Sequence, residues 1–247
     1  MKYIAFAVVA ALLALAAACG DDDDAGGNGA TTAPAGNGGT GIDPADFSTV
    51  IDNPLFPLSS HTLLVYEGEE TDPETGETAS IRVEMTVLDE TKLVVGVEVL
   101  VVQDQEFEDG EIVESTLDYF AQHADGSVYY FGEDVDNYED GELKDHEGSW
   151  HAGEGENQPG IVMPPAPNVG DVFQQEKAPG IAEDEMTVLS LTESVSVPAG
   201  EFTDCVKTED VNPLDMNGHV EFKYYCLGVG FVFEEFEEGG LELISYE

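Results

Sequence analysis

Positive charge is what this 247-residue chain has least of. Only 7 Lys plus Arg stand against 53 Asp plus Glu, a formal net charge of −46. A surface so negative repels nucleic acid, phosphorylated ligands and anionic lipid faces, which excludes those partners. The usual catalytic signatures are missing as well: there is no Gly-x-Ser-x-Gly elbow, no His-Glu-x-x-His helix and no Gly-rich phosphate loop. The five histidines, His61, His123, His146, His151 and His219, are scattered. Their one near pair, 146 and 151, is offset by five, which on a strand puts the rings on opposite faces and bars a shared metal outside a loop. An EF-hand loop needs acidic or amide side chains at its first, third and fifth places and Gly at the sixth; the best stretch, starting at Asp134, has Tyr138 and Glu139 at the last two. Paired carboxylates are uninformative in a chain with 53 of them. No catalytic residue, metal ligand or cofactor is therefore assigned, and the chain reads as a non-enzyme. Its acids are spread along the whole sequence, which favours adaptation to salt over low-affinity capture of calcium or other cations.

A helical apolar stripe is also lacking, and strands take its place. From Glu84 to Leu143 the chain is rich in Val, Ile, Tyr and Phe, interrupted by Asp109-Gly110, Asp125-Gly126 and Asp140-Gly141. Asp-Gly supplies the positive φ angles of tight hairpin turns, so the stretch predicts an antiparallel meander. The fold class is all-β.

The chain opens with one cation, Lys2, and an apolar run too short and too terminal for a comfortable span, a secretory signal peptide over residues 1–18. The run ends Leu15-Ala16-Ala17-Ala18-Cys19. This resembles the bacterial lipobox, in which a small residue precedes a Cys that is lipidated, although the Leu stands one step early. Ala16-Ala17-Ala18 also fits ordinary signal peptidase, and an uncleaved anchor is the third reading. The lipobox reading makes Cys19 an acylated anchor, palmitate among its acyl groups, in a cell membrane and facing outside the cytoplasm. Residues 19–42 hold aspartates, Gly, Asn and Thr with hardly a large apolar side chain, a tether of roughly 25 Å as a flexible coil.

Residues 43–247 then form a single β domain. Glu84-Met85-Thr86-Val87-Leu88 recurs letter for letter as Glu185-Met186-Thr187-Val188-Leu189. Downstream, Tyr119-Phe120 leads to Phe131 as Tyr224-Tyr225 leads to Phe233, at offsets near 100 residues. Two similar halves, about 50–148 and 165–247, are predicted to make a curled sheet, barrel or sandwich that hides its edges. Between them a Pro- and Gly-rich stretch holds the single tryptophan, Trp150. It reads as an irregular crossover, pinned to the core by the indole.

Asn53-Pro54-Leu55-Phe56-Pro57, Tyr130-Phe131-Gly132-Glu133, Gly148-Ser149-Trp150, Pro159-Gly160-Ile161 and Lys223-Tyr224-Tyr225 together resemble an uncharacterised family of secreted bacterial β-rich lipoproteins. That resemblance implies the fold and the location and carries no activity. More loosely, a curled sheet of this kind is similar to the LolA and LppX group of envelope lipid carriers. Two functions stay open: a tethered interaction domain for a protein, glycan or cation, and a carrier holding a lipid or other apolar ligand inside the curl. With Cys19 acylated, Cys205 and Cys226 remain to pair outside the cytoplasm. Both lie on predicted strands joined through Asn217-Gly218, and a turn centred near 215 sets residues whose numbers sum to about 431 opposite one another, as 205 and 226 do.

Overall fold

A computed structural model describes residues 42–247 except 74, 217 and 238. The leader, Cys19 and the tether up to residue 41 lie outside the described residues. The chain begins with β1 (Phe47–Ser48) and a long meander of β2 (Leu63–Thr71), β3 (Thr78–Val94), β4 (Val97–Glu108), β5 (Glu111–His123) and β6 (Val128–Glu139). Four short strands follow: β7 (Glu142–Asp145), β8 (Trp150–His151), β9 (Gln158–Met163) and β10 (Val172–Gln174). After β11 (Glu176–Lys177) comes a second meander of β12 (Glu185–Val197), β13 (Gly200–Val211), β14 (Val220–Cys226), β15 (Gly230–Phe236) and β16 (Gly239–Tyr246).

Local chemistry explains the hairpins. Asp109-Gly110 joins β4 to β5 and Asp140-Gly141 joins β6 to β7, each pair with both φ angles positive, as a type I′ turn requires. Asp125-Gly126 lies in a longer turn, where only the glycine has positive φ. Between β3 and β4 the same geometry falls on Val95-Gly96, a turn with no Asp-Gly to announce it. A β-branched residue at φ 46° is strained, and the hairpin that closes around it supplies the compensation.

The strands pair in the order β10-β12-β13-β14-β15-β16-β2-β3-β4-β5-β6-β9-β11, with every pairing antiparallel. The two ends of this path, β10 and β11, are one residue apart in the chain, at Gln175. The sheet is thus a barrel closed all but fully by a single extended segment that pairs with β12 on one side and β9 on the other. Gly160 makes the seam possible: a Cβ there would sit 1.8 Å from the Gln175 carbonyl oxygen, so any larger residue would part β9 from the segment. Residues 158–163, expected to be irregular, are a wall strand, and Trp150 is buried on β8 against β6.

The repeated pentapeptide lies on β3 and on β12, with Met85 and Met186 both buried. Each of these strands starts a run of hairpins, and in each run the third and fourth strands meet through aromatic rings. Phe120 stacks on Tyr130 at 4.8 Å, and Tyr225 lies 5.8 Å from Phe231.

Residues 42–62 cap one end. Gly228 N–H donates to the Pro54 carbonyl, the Asn53 amide donates to the carbonyls of Gly126 and Pro164, and the His61 ring meets the Val229 carbonyl. Ile51, Leu55, Phe56 and Leu58 are buried there and fill the mouth. The β13–β14 register pairs Val206 with Tyr225 and Val211 with Val220, sums of 431 as the sequence suggested. β13 ends at Val211 and β14 starts at Val220, so the connection is longer than a tight turn. One step beyond the last pair, Cys205 and Cys226 are bonded, with their Cα atoms 4.3 Å apart. Closing 21 residues contributes on the order of 3 kcal/mol by restricting the unfolded chain.

Candidate functional site

In an antiparallel sheet, directly paired residues share a face, so register reveals what points inward. Met85 lines a cavity inside the barrel, and its partners are Leu64 on β2 and Asp104 on β4. Following that face around the wall places Glu106 opposite Val83, Glu114 opposite Glu106, Asp118 opposite Val102, and Glu133 opposite Asp118. On the far wall Lys223 also lines the cavity, paired with Thr208 on β13 and Glu234 on β15, while Asp210 pairs with Met186. Among the described residues eight carboxylates are buried: Glu70, Asp104, Glu106, Asp118, Glu133, Glu176, Asp210 and Glu234. Among the described residues no Lys or Arg is equally buried.

Several of these groups have few partners. Both carboxylate oxygens of Glu133, Glu176, Asp210 and Glu234 lack hydrogen bonds, as do one oxygen each of Asp104, Asp118 and Asp184. The indole of Trp150 faces Glu176, yet its N–H closes no well-formed hydrogen bond. Tyr130 hydroxyl does donate to Asp118, at 2.5 Å. Ionising such groups out of water costs several kcal/mol apiece unless a cation answers them. Burial accordingly drives them toward the protonated form: Glu114 and Asp118 are pushed up to about 7 and Asp184 to about 8. Asp104, Glu106, Glu133, Glu176 and Glu234 lie well above the carboxylate range, first through burial and then through the charges around them.

Lys223 is the interior's one ammonium among the described residues, 3.1 Å from Glu221, 3.5 Å from Glu234 and 3.6 Å from Asp210. Burial works against its charge, but Glu221, Glu234 and Asp210 outweigh that and hold its pKa well above normal. The cavity beside it measures about 50 Å³ and is lined by Glu176, Asp184, Gln175 and Lys223 on the polar side. Phe56, Met85, Phe120, Tyr130, Tyr225 and Phe231 line the apolar side.

A second polar cluster sits outside the wall. Asp134 accepts from Lys92 Nζ at 2.8 Å and from the Tyr119 hydroxyl, and the His151 ring lies 2.9 Å away. Burial pushes the Asp134 carboxyl up, but the bonds from Lys92 and Tyr119 prevail and keep it below its usual range. Lys92 also lies 4.0 Å over the Tyr119 ring. Half-exposed and linking β3, β5, β6 and β8, this cluster fastens the residues around His151 to the barrel wall. His146 stands apart from it, against Asp136 at 2.8 Å. Among the described residues no three His, Cys, Asp or Glu gather as metal ligands, and no helix is long and apolar enough to cross a membrane.

Sequence reading placed the acids on a salt-adapted surface and, although Glu133 and Lys223 fall in the motifs quoted above, gave none of these interior groups a role. A signal was present: in Leu64-Val65-Tyr66-Glu67-Gly68-Glu69-Glu70 and in Val206-Lys207-Thr208-Glu209-Asp210, an acid falls in phase with the inward apolar residues. Such an acid belongs inside if the strand keeps its period of two.

No family model and no curated protein matches the chain. Two solved structures resemble it. One is a candidate exported protein with a YmcC-like fold from Bacteroides fragilis, at 14% identity and TM-score 0.38, covering 75% of this chain and 94% of the other. The second is a candidate lipoprotein from Parabacteroides distasonis, at 16% identity and TM-score 0.40, covering 78% and 98%. Likeness this distant transfers neither residues nor function.

Proposed function

We propose that this chain is an exported lipoprotein, anchored through acylated Cys19, whose β domain is a non-catalytic binding module for a small polar ligand or for a protein or glycan partner. The size of the cavity carries the reading. Ligand pockets for larger molecules run to about 300–1,000 Å³, against about 50 Å³ here. Leu64, Tyr66, Leu241 and Leu243, outside the cavity lining, are buried in the inner rows. A carrier of acyl chains in the manner of the LolA and LppX group would need that space empty. The lipobox-like run ending at Cys19 and the acidic tether support the location.

Cell fractionation tests the anchor: Cys19→Ser is expected to free the domain into the medium, and a Ser variant that stays acylated and membrane-bound overturns it. Mass spectrometry of solvent extracts from the natively purified protein tests the binding module. A stoichiometric lipid beyond the one on Cys19 would revive the carrier.

A further inference from the structure

The binding reading leaves open which chemistry the interior takes. We propose that the cavity beside Glu176, Asp184 and Lys223 is a site for a small primary ammonium, either a free alkylamine or the amine tip of a longer molecule. The inference rests on the module reading above and adds a ligand class to it.

Glu176 carries the argument. It is 3% exposed, it lines the cavity, and neither of its carboxylate oxygens has a hydrogen bond. Asp184, on the same wall, has an unpartnered oxygen too. Two acceptors at one side of a cavity call for donors, and an ammonium brings three N–H groups and the opposite charge. Phe120, Tyr130 and Phe231 are among the remaining lining, beside Met85, Val162, Gln175 and the Lys223 ammonium. Aromatic faces attract a desolvated cation and leave an alkyl stem at ease. At about 10–15 Å³ per water-sized group, 50 Å³ admits about three to five non-hydrogen atoms.

The protein already shows that this interior tolerates such a group. Lys223 Nζ answers Glu221, Glu234 and Asp210 at ion-pair distance, whereas among the described residues no ion pair reaches Asp118, Glu133 or Glu176, and Lys223 acts on Glu176 and Asp184 only through space. A bound alkylammonium would do for that wall what Lys223 does for its own. A metal ion fits less well: it needs several converging oxygens, and the described residues gather no such set.

The test uses the purified full chain and n-propylammonium chloride, with NaCl at equal ionic strength and CaCl2 as comparison arms. Propylammonium is expected to raise Tm saturably, by about 5–11 °C at a hundredfold excess over Kd, while matched NaCl gives no saturable rise. Calorimetry should find Glu176→Gln at least tenfold weaker, and Glu111→Gln, an exposed control, unchanged. Should the Glu176 variant fold poorly, Asp184→Asn is measured in its place. Equal shifts from NaCl would reduce the effect to screening, a response to CaCl2 alone would mean a metal site, and unweakened binding by the variants would put the ligand elsewhere. Any of the three overturns the proposal. None bears on the anchor or the lipid extract, so failure here is separable from failure of the module reading.

Discussion

At the end capped by residues 51–62, the inward rows of the barrel carry Leu64, Met85, Phe120, Phe231 and Leu243; farther along the same strands they carry Glu70, Asp118 and Glu234. One wall therefore runs from an apolar region to an acidic one without a change of strand. The apolar region stabilises the fold by removing hydrocarbon from water, about 25 cal/mol per Å². The acidic region opposes folding, since each carboxyl must lose water and keep a proton or find a cation. Burying acids against their solvation is what a chain does at a place with another purpose, and for that reason the candidate site lies where the two regions meet, with Met85, Phe120 and Phe231 lining it beside Glu176 and Asp184, while Leu64 and Leu243 belong to the scaffold.

Substitutions can break that contrast. The largest effect is expected for Lys223→Met, which strips the far wall of its ammonium and should cost about 3–5 kcal/mol, the usual range when one partner of a buried ion pair is removed. Urea unfolding at pH 7 measures it, and a cost below about 1 kcal/mol would mean that Asp210 and Glu234 sit protonated without help. In the apolar region, Leu243→Ala should cost about 2–5 kcal/mol through lost burial and a cavity. That loss should be the same at pH 5 and pH 8, because no proton is involved; a pH-dependent cost would tie the two regions together.

A smaller effect sharpens the comparison. Burial, reinforced by Glu176, holds the Glu133 carboxyl well above its usual value. The folded chain then keeps a proton that the unfolded chain releases from about pH 4.3 upward. Stability contributed by that proton is full below the unfolded pKa and is lost as pH climbs toward the folded one, by up to about 1.4 kcal/mol per unit for each such group. Tm of the wild type should therefore fall from pH 5 to pH 8. Glu133→Gln, which keeps shape and removes the proton, should match the wild type at pH 5 and exceed it at pH 8. A wild-type Tm that rises over this range would show the interior acids ionised and answered by cations.

Much of the wall was legible in the sequence because its causes are local. Asp109-Gly110 and Asp140-Gly141 dictate tight turns through their own φ preferences, and alternating Val, Ile and Phe dictate strands through a period of two. Two strands of known ends also limit their own register, which is why Cys205 could be set against Cys226 by counting. The Val95-Gly96 turn escaped because valine rarely adopts positive φ and gives no signal when forced to. Strand β9 escaped because Pro159 and Gly160 read as breakers; both are accommodated at the seam, where the chain crosses from one pairing to another.

Composition and turn chemistry thus determined an acidic all-β chain, its hairpins and the spacing of its cysteine pair, since each depends on neighbours in sequence. Only tertiary structure decided the closure through residues 172–177, the burial of Glu133 beside Glu176, and the cavity at Lys223. Those depend on strands far apart in the chain reaching the same level of one barrel, and a carboxylate looks alike in sequence whether the face it points to meets water or the opposite wall.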